Sequence, residues 1–322
     1  MGLNVARYRH AGETRWGVVL DGGIAPIPGV FAGTGDFLRD GRAEAWAMVA
    51  RGTRAALRER DVEILSPVTP NQQFVCQGVN YRDHAAEAGL DPEDRRFNMI
   101  FRKASSCLAP PNTDIVRPAA ARLLDYEIEL GVVIGCAITG PVPVTDASLH
   151  EFVAGVVLTN DISARDIQLP EVQFYKGKSY RTFGPTGPYL HLLEREDVPR
   201  LRSMRMTLKV NGETRQNAST CDMIYHPAET LRELSGVMDL FPGDLLATGT
   251  PSGVALRVPG RAAMVIANLL PDRARWKLFL KGQSRNPRYL KPGDVIESTI
   301  RSEDGKIDLG VQRNRVVADS AG

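Results

Sequence analysis

The sequence predicts an α+β fold in which β-structure predominates: a strand-rich catalytic body led by a small N-terminal α/β unit. Three observations predict it. Short runs rich in β-branched residues, bounded by Gly, Pro, Asn or Asp, recur from Phe74 onward. Only two segments carry firm helical spacing. The alternation of strand and long helix that a doubly wound sheet requires is missing. With 322 residues, the chain suffices for one large domain, or for one large domain and a small one.

Val5-Ala6-Arg7-Tyr8 and Trp16-Gly17-Val18-Val19-Leu20 read as strands around a Gly-Glu turn, and Asp21-Gly22-Gly23 turns the chain back. A helix is expected over roughly residues 43–58, ending before Leu65-Ser66-Pro67. The Pro-containing stretch Ser66–Asn71 marks the boundary between a small domain, 1–70, and a catalytic domain, 71–322. Beyond it, Phe74-Val75-Cys76, Ile115-Val116, Glu127–Ile134, Phe152–Thr159, Tyr189-Leu190-His191, Met204–Val210 and Val295–Ile300 read as strands. The helices are Arg82–Ala88 and Pro227–Asp239, the latter with Ala228, Leu231, Leu234 and Met238 at helical spacing. The stretch from Gly253 to Lys291 breaks the rhythm with apolar runs and a dense set of Arg and Lys. It is too long for an ordinary connection, so residues 255–290 are expected to form a lid, an interface element or a partly mobile insertion.

A formal net charge of +2 creates no general field toward nucleic acid or membrane. Arg51–Arg60 (RGTRAALRER) reads as a solvated, charged helix face, since acids interrupt it and aromatics do not interleave it. Neither a signal peptide nor an apolar run of about 18 residues is evident, so a cytoplasmic protein is expected. Cys76, Cys107, Cys136 and Cys221 form no C-x-x-C pair, and reduced thiols without zinc or disulfides are expected.

Asp125–Ile134 (DYEIELGVVI) starts polar and turns apolar. As a strand, its period of two places Glu127 and Glu129 on one face and Tyr126, Ile128 and Leu130 on the other. Two carboxylates entering a buried strand repel one another and lose hydration unless a cation neutralises them. Asp161, ending the apolar run Val156-Val157-Leu158-Thr159-Asn160, completes a candidate set of three. Oxygen-only ligands select a hard ion: Mg²⁺ or Mn²⁺, with Ca²⁺ also suitable. By itself, E-x-E is commoner on a solvated strand face, with Asp161 then capping a turn.

Other segments add chemistry. His84 and Glu87 stand three apart on the expected helix after Gly78-Val79-Asn80-Tyr81, where a carboxylate can orient an imidazole as a general base. An ordinary surface pair has the same spacing. Lys176–Pro188 (KGKSYRTFGPTGP) is a Gly/Pro-punctuated cationic loop without the Walker spacing, open to an anion-binding or a merely solvated reading. Thr248-Gly249-Thr250 offers amides and hydroxyls suited to a carboxylate, or a plain turn. His10, His150, His191 and His226 lack such context and read as structural or exposed.

In this order, GVNYRDHAAE, FRKASSCLAPPNTDIVRP, DYEIELGVVIG, LTNDISARDIQ, GKSYRTFGPTGP, LKVNGETRQNAS, LFPGDLLATGTPSGV and LKPGDVIE resemble the fumarylacetoacetate hydrolase family, its acylpyruvate hydrolase and 2-hydroxyhepta-2,4-diene-1,7-dioate isomerase members in particular. The resemblance spans Phe74 to Glu297 and, more loosely, the leading domain. It implies a mixed β-sandwich roll or barrel, a homodimer, and a divalent metal on Glu127, Glu129 and Asp161. It also implies water activation by His84 with Glu87, charge stabilisation by Lys178, and substrate contacts from Tyr81, Arg165, Gln168 and Thr250. The implied activity is cleavage of a C–C bond in a 1,3-diketo acid of acylpyruvate or fumarylpyruvate type, through a metal-bound enolate, in aromatic-compound or sugar-acid catabolism. Decarboxylation of an oxaloacetate-type 2-oxo acid and isomerisation or hydration of a dienedioate use the same site. A catalytically silent scaffold is the reading from another class. Two departures stand out: Arg181 replaces a frequent Asp, which suggests an extra acidic group on the substrate, and the segment after Gly253 is unusually long.

Overall fold

Apart from Glu129, strand Ile128–Ile134 is apolar on both faces, and all seven of its residues are buried. Its neighbour Val153–Asn160 is equally buried along its length. Runs of this kind belong in the middle of a sheet covered on both sides. The structure, a computed structural model, describes residues 1–93, 97–257 and 270–319.

Around this pair a mixed sheet of twelve strands is built. Its path runs from Leu57–Arg58 through Gly23–Pro26, Glu13–Leu20, Leu3–His10, Gly184–Leu192, Val153–Asn160, Ile128–Ile134, Leu245–Ala247 and Phe74–Gly78 to Met99–Lys103. Glu63–Leu65 and Leu108–Ala109 join it at the side. A five-stranded sheet orders Glu213–Ser219, Met204–Val210, Val295–Ser302, Asp308–Ala318 and Ile115–Arg117. It packs on the large sheet, with Asp308–Ala318 against Gly184–Leu192 and Met204–Val210 against Ile128–Ile134. One core of aliphatic side chains fills the space between them. The mostly-β, mixed-sheet architecture agrees with the expectation.

Three details differ from the sequence reading. The N-terminal helical stretch occupies Thr34–Asp36, Phe37–Gly41 and Arg42–Ala50, not 43–58. It begins earlier because Phe37 stacks on Trp16 (centroids 4.0 Å apart) in the core. It ends at Gly52, whose φ of +68° suits a glycine after a helix. Leu57–Arg58 then pairs with Gly23–Pro26, so Arg51–Arg60 is no helix face, although its charges are solvated in pairs such as Arg58–Asp61. The second helix stops at Ser235, leaving Met238 beyond it, while Ala228, Leu231 and Leu234 are buried as their spacing implies. The large sheet takes strands from both sides of the Ser66–Asn71 stretch, with Leu3–His10 paired to Gly184–Leu192.

His191 lies at that seam, 2% exposed, with Nδ1 2.8 Å from the side-chain oxygen of Asn4. Burial lowers its pKa from 6.5 to about 4, against the opposing pull of Asp197. Between these values the unfolded chain binds a proton that the folded chain refuses, so stability is lost as pH falls through the window. Thermal melts from pH 7 to 4.5 are expected to fall less steeply for His191→Asn than for the native chain; parallel slopes would refute the assignment.

Candidate active site

Strand register assembles the acidic cluster. In the antiparallel pair, Ile128 stands opposite Asn160, so Glu127 and Asp161 flank the ladder's end, and the Asp161 amide donates to the Glu127 carbonyl at 2.8 Å. Glu129 is two residues further along and therefore on the Glu127 face. Carboxylate oxygens of Glu127, Glu129 and Asp161 all lie within 4.8 Å of one another, and all three residues are buried.

Cations close around them. The Lys178 ammonium donates to Glu127 Oε2 at 2.5 Å and to Asp161 Oδ2. Lys103 donates to Asp161 Oδ1 at 2.5 Å and to the Phe183 carbonyl at 2.7 Å. Arg165 donates from Nη2 to Glu127, from Nε to Asp125 at 2.9 Å, and from Nη1 to Gln168 Oε1 at 2.9 Å. Burial pushes the Glu127 carboxyl up, but Arg165 and Lys178 outweigh it and hold the group well below the usual carboxylate range. At Glu129 the balance reverses: burial, with Asp161 and Glu127 adding to it, drives the carboxyl well above that range. Its hydrogen bond from the Gly249 amide, at 2.9 Å, offsets only part of this.

Four buried carboxylates (Asp125, Glu127, Glu129, Asp161) thus meet three buried cations (Lys103, Arg165, Lys178). The shortfall of positive charge falls at Glu129, and the set offers a cation carboxylate oxygens alone. Both features fit a hard divalent cation held by Glu127, Glu129 and Asp161.

Two glycines permit this packing. Gly249 has φ +84°, and a Cβ there would stand 2.8 Å from the Cβ of Asn80. A Cβ on Gly177 would meet the Gln168 backbone nitrogen at 2.7 Å, so a side chain would push the Tyr175–Lys178 turn off the Arg165–Glu171 helix.

Across the cavity, His84 and Glu87 occupy the helix Arg82–Glu87, with His84 Nδ1 3.8 Å from Glu87 Oε2. The preceding Val79 takes φ +51°, an unfavourable conformation for a β-branched residue. Asn80 holds the turn: its side chain donates to the carbonyls of Tyr225 (3.0 Å) and Thr248 (2.8 Å) and accepts from the Tyr225 amide. Glu87 accepts from the Gly253 amide at 3.0 Å and from Arg257 at 3.1 Å. Burial raises its pKa, and these donors with His84 reverse that, so the net shift is downward.

A cavity of about 210 Å³ is lined by His84, Glu87, Glu127, Glu129, Arg165, Gln168, Lys178 and Thr250. Asp161 completes the carboxylate set from behind. Two residues from the sequence reading lie elsewhere. Tyr81 is 1% exposed, with its hydroxyl against Met206 Sδ at 3.0 Å in the core. Arg181 is exposed on the turn after Lys178 and is not among the residues that line this cavity. Thr250 Oγ1 already donates to the Ile128 carbonyl at 2.9 Å.

The sequence reading assigned no role to Lys103. The signal was its register: along Met99–Lys103, Arg102 is exposed while Phe101 and Lys103 point inward, and a fully buried lysine demands a partner. The role of Asp125 as an anchor was also missed. It accepts from the amides of Ala255 (2.7 Å) and Leu256 (3.1 Å), fastening the loop after Gly253 to Arg165.

Residues 258–269 of the expected insertion lie outside the described residues. Beyond them, helix Asp272–Gln283 leads back to the site. Gln283 donates to the Arg257 carbonyl at 2.6 Å, Asn286 to the Ala255 carbonyl at 2.7 Å, and Arg288 to the Gly253 carbonyl at 2.6 Å. All four cysteines are free. Among the described residues, no helix is long and apolar enough to cross a membrane.

Residues 73–317 match the family model described as fumarylacetoacetate (FAA) hydrolase C-terminal. A provisionally named hydrolase of Burkholderia lata is 34% identical over 263 residues, 80% of this chain and 89% of that protein. A similar protein of Burkholderia multivorans is 39% identical over 188 residues, a match that covers 58% of this chain and 64% of its own length. Among solved structures, a fumarylacetoacetate hydrolase of Exiguobacterium antarcticum superposes with a TM-score of 0.68 at 28% identity, covering 98% of this chain and 100% of that one. A provisionally named 2-hydroxyhepta-2,4-diene-1,7-dioate isomerase of Mycobacterium abscessus gives 0.69 at 28% identity, covering 99% of this chain and 100% of that one. The chain belongs to the fumarylacetoacetate hydrolase family.

Proposed function

We propose that the protein is a divalent-metal-dependent hydrolase that cleaves a C–C bond of a 1,3-diketo acid of acylpyruvate or fumarylpyruvate type. The observation that carries this reading is the buried set Glu127, Glu129 and Asp161, with its deficit of positive charge, of which Glu127 and Glu129 line one small cavity with His84 and Glu87. Held there, Mg²⁺ or Mn²⁺ (Ca²⁺ as a third candidate) supplies Lewis-acid polarisation of the substrate's 2-oxo acid end.

The chain's own residues do the rest. Arg165 and Gln168, locked together, present donors to the acid end, and Thr250 and the Gly249 turn close it from the other side. His84 takes a proton from water as the oxygen adds to the distal carbonyl carbon, and the Glu87 carboxylate, 3.8 Å from the ring's other nitrogen, steadies the imidazolium. The C–C bond then breaks with its electron pair passing into the 2-oxo acid fragment as an enolate. Lys178 sets a fixed positive charge where that negative charge develops, and such stabilisation is usually the largest catalytic contribution. The proton on His84 returns to the enolate carbon, leaving one carboxylic acid and one 2-oxo acid.

A second reading, isomerisation of a dienedioate, draws on the name of the M. abscessus neighbour; oxaloacetate-type decarboxylation needs the same enolate without attack by water. Assembly as a homodimer belongs to the proposal and is checked by light scattering. The deciding test is turnover before and after EDTA treatment, with Mg²⁺ or Mn²⁺ add-back, on acylpyruvates, fumarylpyruvate and oxaloacetate. Metal-restored loss of diketo-acid absorbance, with two acids as products, is expected. Release of CO₂ or an isomerised product would replace the hydrolase reading, and EDTA-insensitive turnover would remove the metal.

A further inference from the structure

Beyond the charged end, the cavity wall changes character. Its remaining side chains include Phe101, Leu169, Phe174, Val254 and Leu256. The change begins at Lys178, whose Nζ stands 5.0 Å from the centroid of the Phe101 ring. Phe101 in turn meets Phe174 edge-to-face, with centroids 5.3 Å apart and ring planes at 80°. Leu169 follows Gln168 on the same helix, and Val254 and Leu256 come from the loop after Thr250. The result is an apolar corner attached to a cationic and acidic floor.

From this corner we infer that the substrate's distal end is an uncharged apolar tail, so that the protein selects 2,4-dioxo monoacids over dicarboxylates. The inference rests on the proposed 2-oxo acid reading for the head of the substrate and adds the class of its tail. Charge bookkeeping supports it. Among the described lining residues the cations are Arg165 and Lys178. Arg165 is engaged by Asp125, Glu127 and Gln168, and Lys178 by Glu127 and Asp161. Arg257, just outside, is paired with Glu87 at 3.1 Å. Among the described residues, a second carboxylate placed against Phe101, Phe174 and Leu169 would lose hydration and gain no cation, while Glu87 would repel it. An alkyl or aryl group there replaces water at an apolar surface and has two aromatic rings to pack on. The cavity of about 210 Å³ exceeds the order of 150 Å³ that accepts a benzene-sized guest, so a 2-oxo acid head and a short tail or single ring define its scale. The diacid names carried by structural neighbours therefore do not transfer to this chain's wall.

Binding and turnover are measured separately, so that the tail and the reaction stand or fall independently. The Mn²⁺-loaded full-length chain is titrated calorimetrically with 2-oxobutanoate, 2-oxopentanoate and 2-oxohexanoate, and with the dicarboxylate 2-oxoglutarate. Affinity is expected to rise about fourfold per added methylene. 2-Oxoglutarate is expected to bind at least roughly tenfold more weakly than 2-oxohexanoate. Phe174→Arg and, as a second substitution on the same wall, Leu169→Arg should narrow or invert that ratio. A dicarboxylate that binds as tightly as the monoacids, or a flat dependence on chain length, overturns the inference while leaving the proposed reaction intact. The expected binding pattern with no hydrolysis of any acylpyruvate removes the reaction and keeps the tail class. Failure of every 2-oxo acid to bind removes both.

Discussion

Replacing Glu127 by Ala should abolish divalent-metal binding and lower kcat/KM by about a thousandfold, the scale of several kcal/mol of lost Lewis-acid stabilisation. Arg165 and Lys178 both hold Glu127 charged, outweighing its burial. Its removal leaves those two buried cations short of a partner, a loss worth about 3–5 kcal/mol in comparable buried pairs. Glu127→Gln is the companion variant, since it keeps the shape and a hydrogen-bond acceptor while removing the charge. Mn²⁺ titration calorimetry reads the first effect and far-UV circular dichroism establishes that each variant is folded. Undiminished Mn²⁺ affinity in both folded variants would show that the carboxylate set is a structural ion-pair network.

His84→Ala should lower kcat by about 10²–10⁴-fold, the range for loss of a general base, while leaving Mn²⁺ affinity near the native value. His84 faces the cavity from a different element than the carboxylates and shares none of their cations. A parallel loss of metal affinity would reassign it as a ligand. Unchanged kcat would remove it from the chemistry. Glu87→Gln should reduce kcat less than His84→Ala, because the imidazole would survive and lose only its orienting charge. The Gly253 amide that Glu87 now engages binds the loop to the helix, so this variant should also raise KM for the substrate head.

How much of this site was legible in the sequence depended on the range of the interaction. Glu127 with Glu129, and His84 with Glu87, are local patterns: a period of two and a spacing of three, each set by backbone geometry alone. Arg165 with Gln168 is the same spacing, and the structure closes it with a hydrogen bond at 2.9 Å. Tyr81 and Arg181 were named from neighbouring motif positions, but neither reaches the cavity. Tyr81 faces the core because the Asn80 anchor sets the strand-to-helix turn, and Arg181 is exposed on the turn after Lys178. The expected helix over 43–58 failed for a tertiary reason: the stacking of Phe37 on Trp16 begins the helix early, and a strand pairing claims Leu57.

The sequence alone determined the parts whose order and local spacing carry chemistry: the strand-rich class, the E-x-E strand, the His–Glu helix, the lysine loop and family membership. Tertiary structure alone decided the pairing of Lys103 with Asp161, the hold of Asp125 on the loop after Gly253, and the aromatic corner of Phe101 with Phe174. The physical reason is one of distance along the chain. Lys103 and Asp161 are 58 residues apart, and Asp125 and Ala255 are 130 apart. Backbone geometry propagates over a turn or a strand, whereas contacts between distant segments exist only once sheet register has brought them together. The charge balance at Glu129, which suits the cluster to a divalent cation, is a property of those distant contacts.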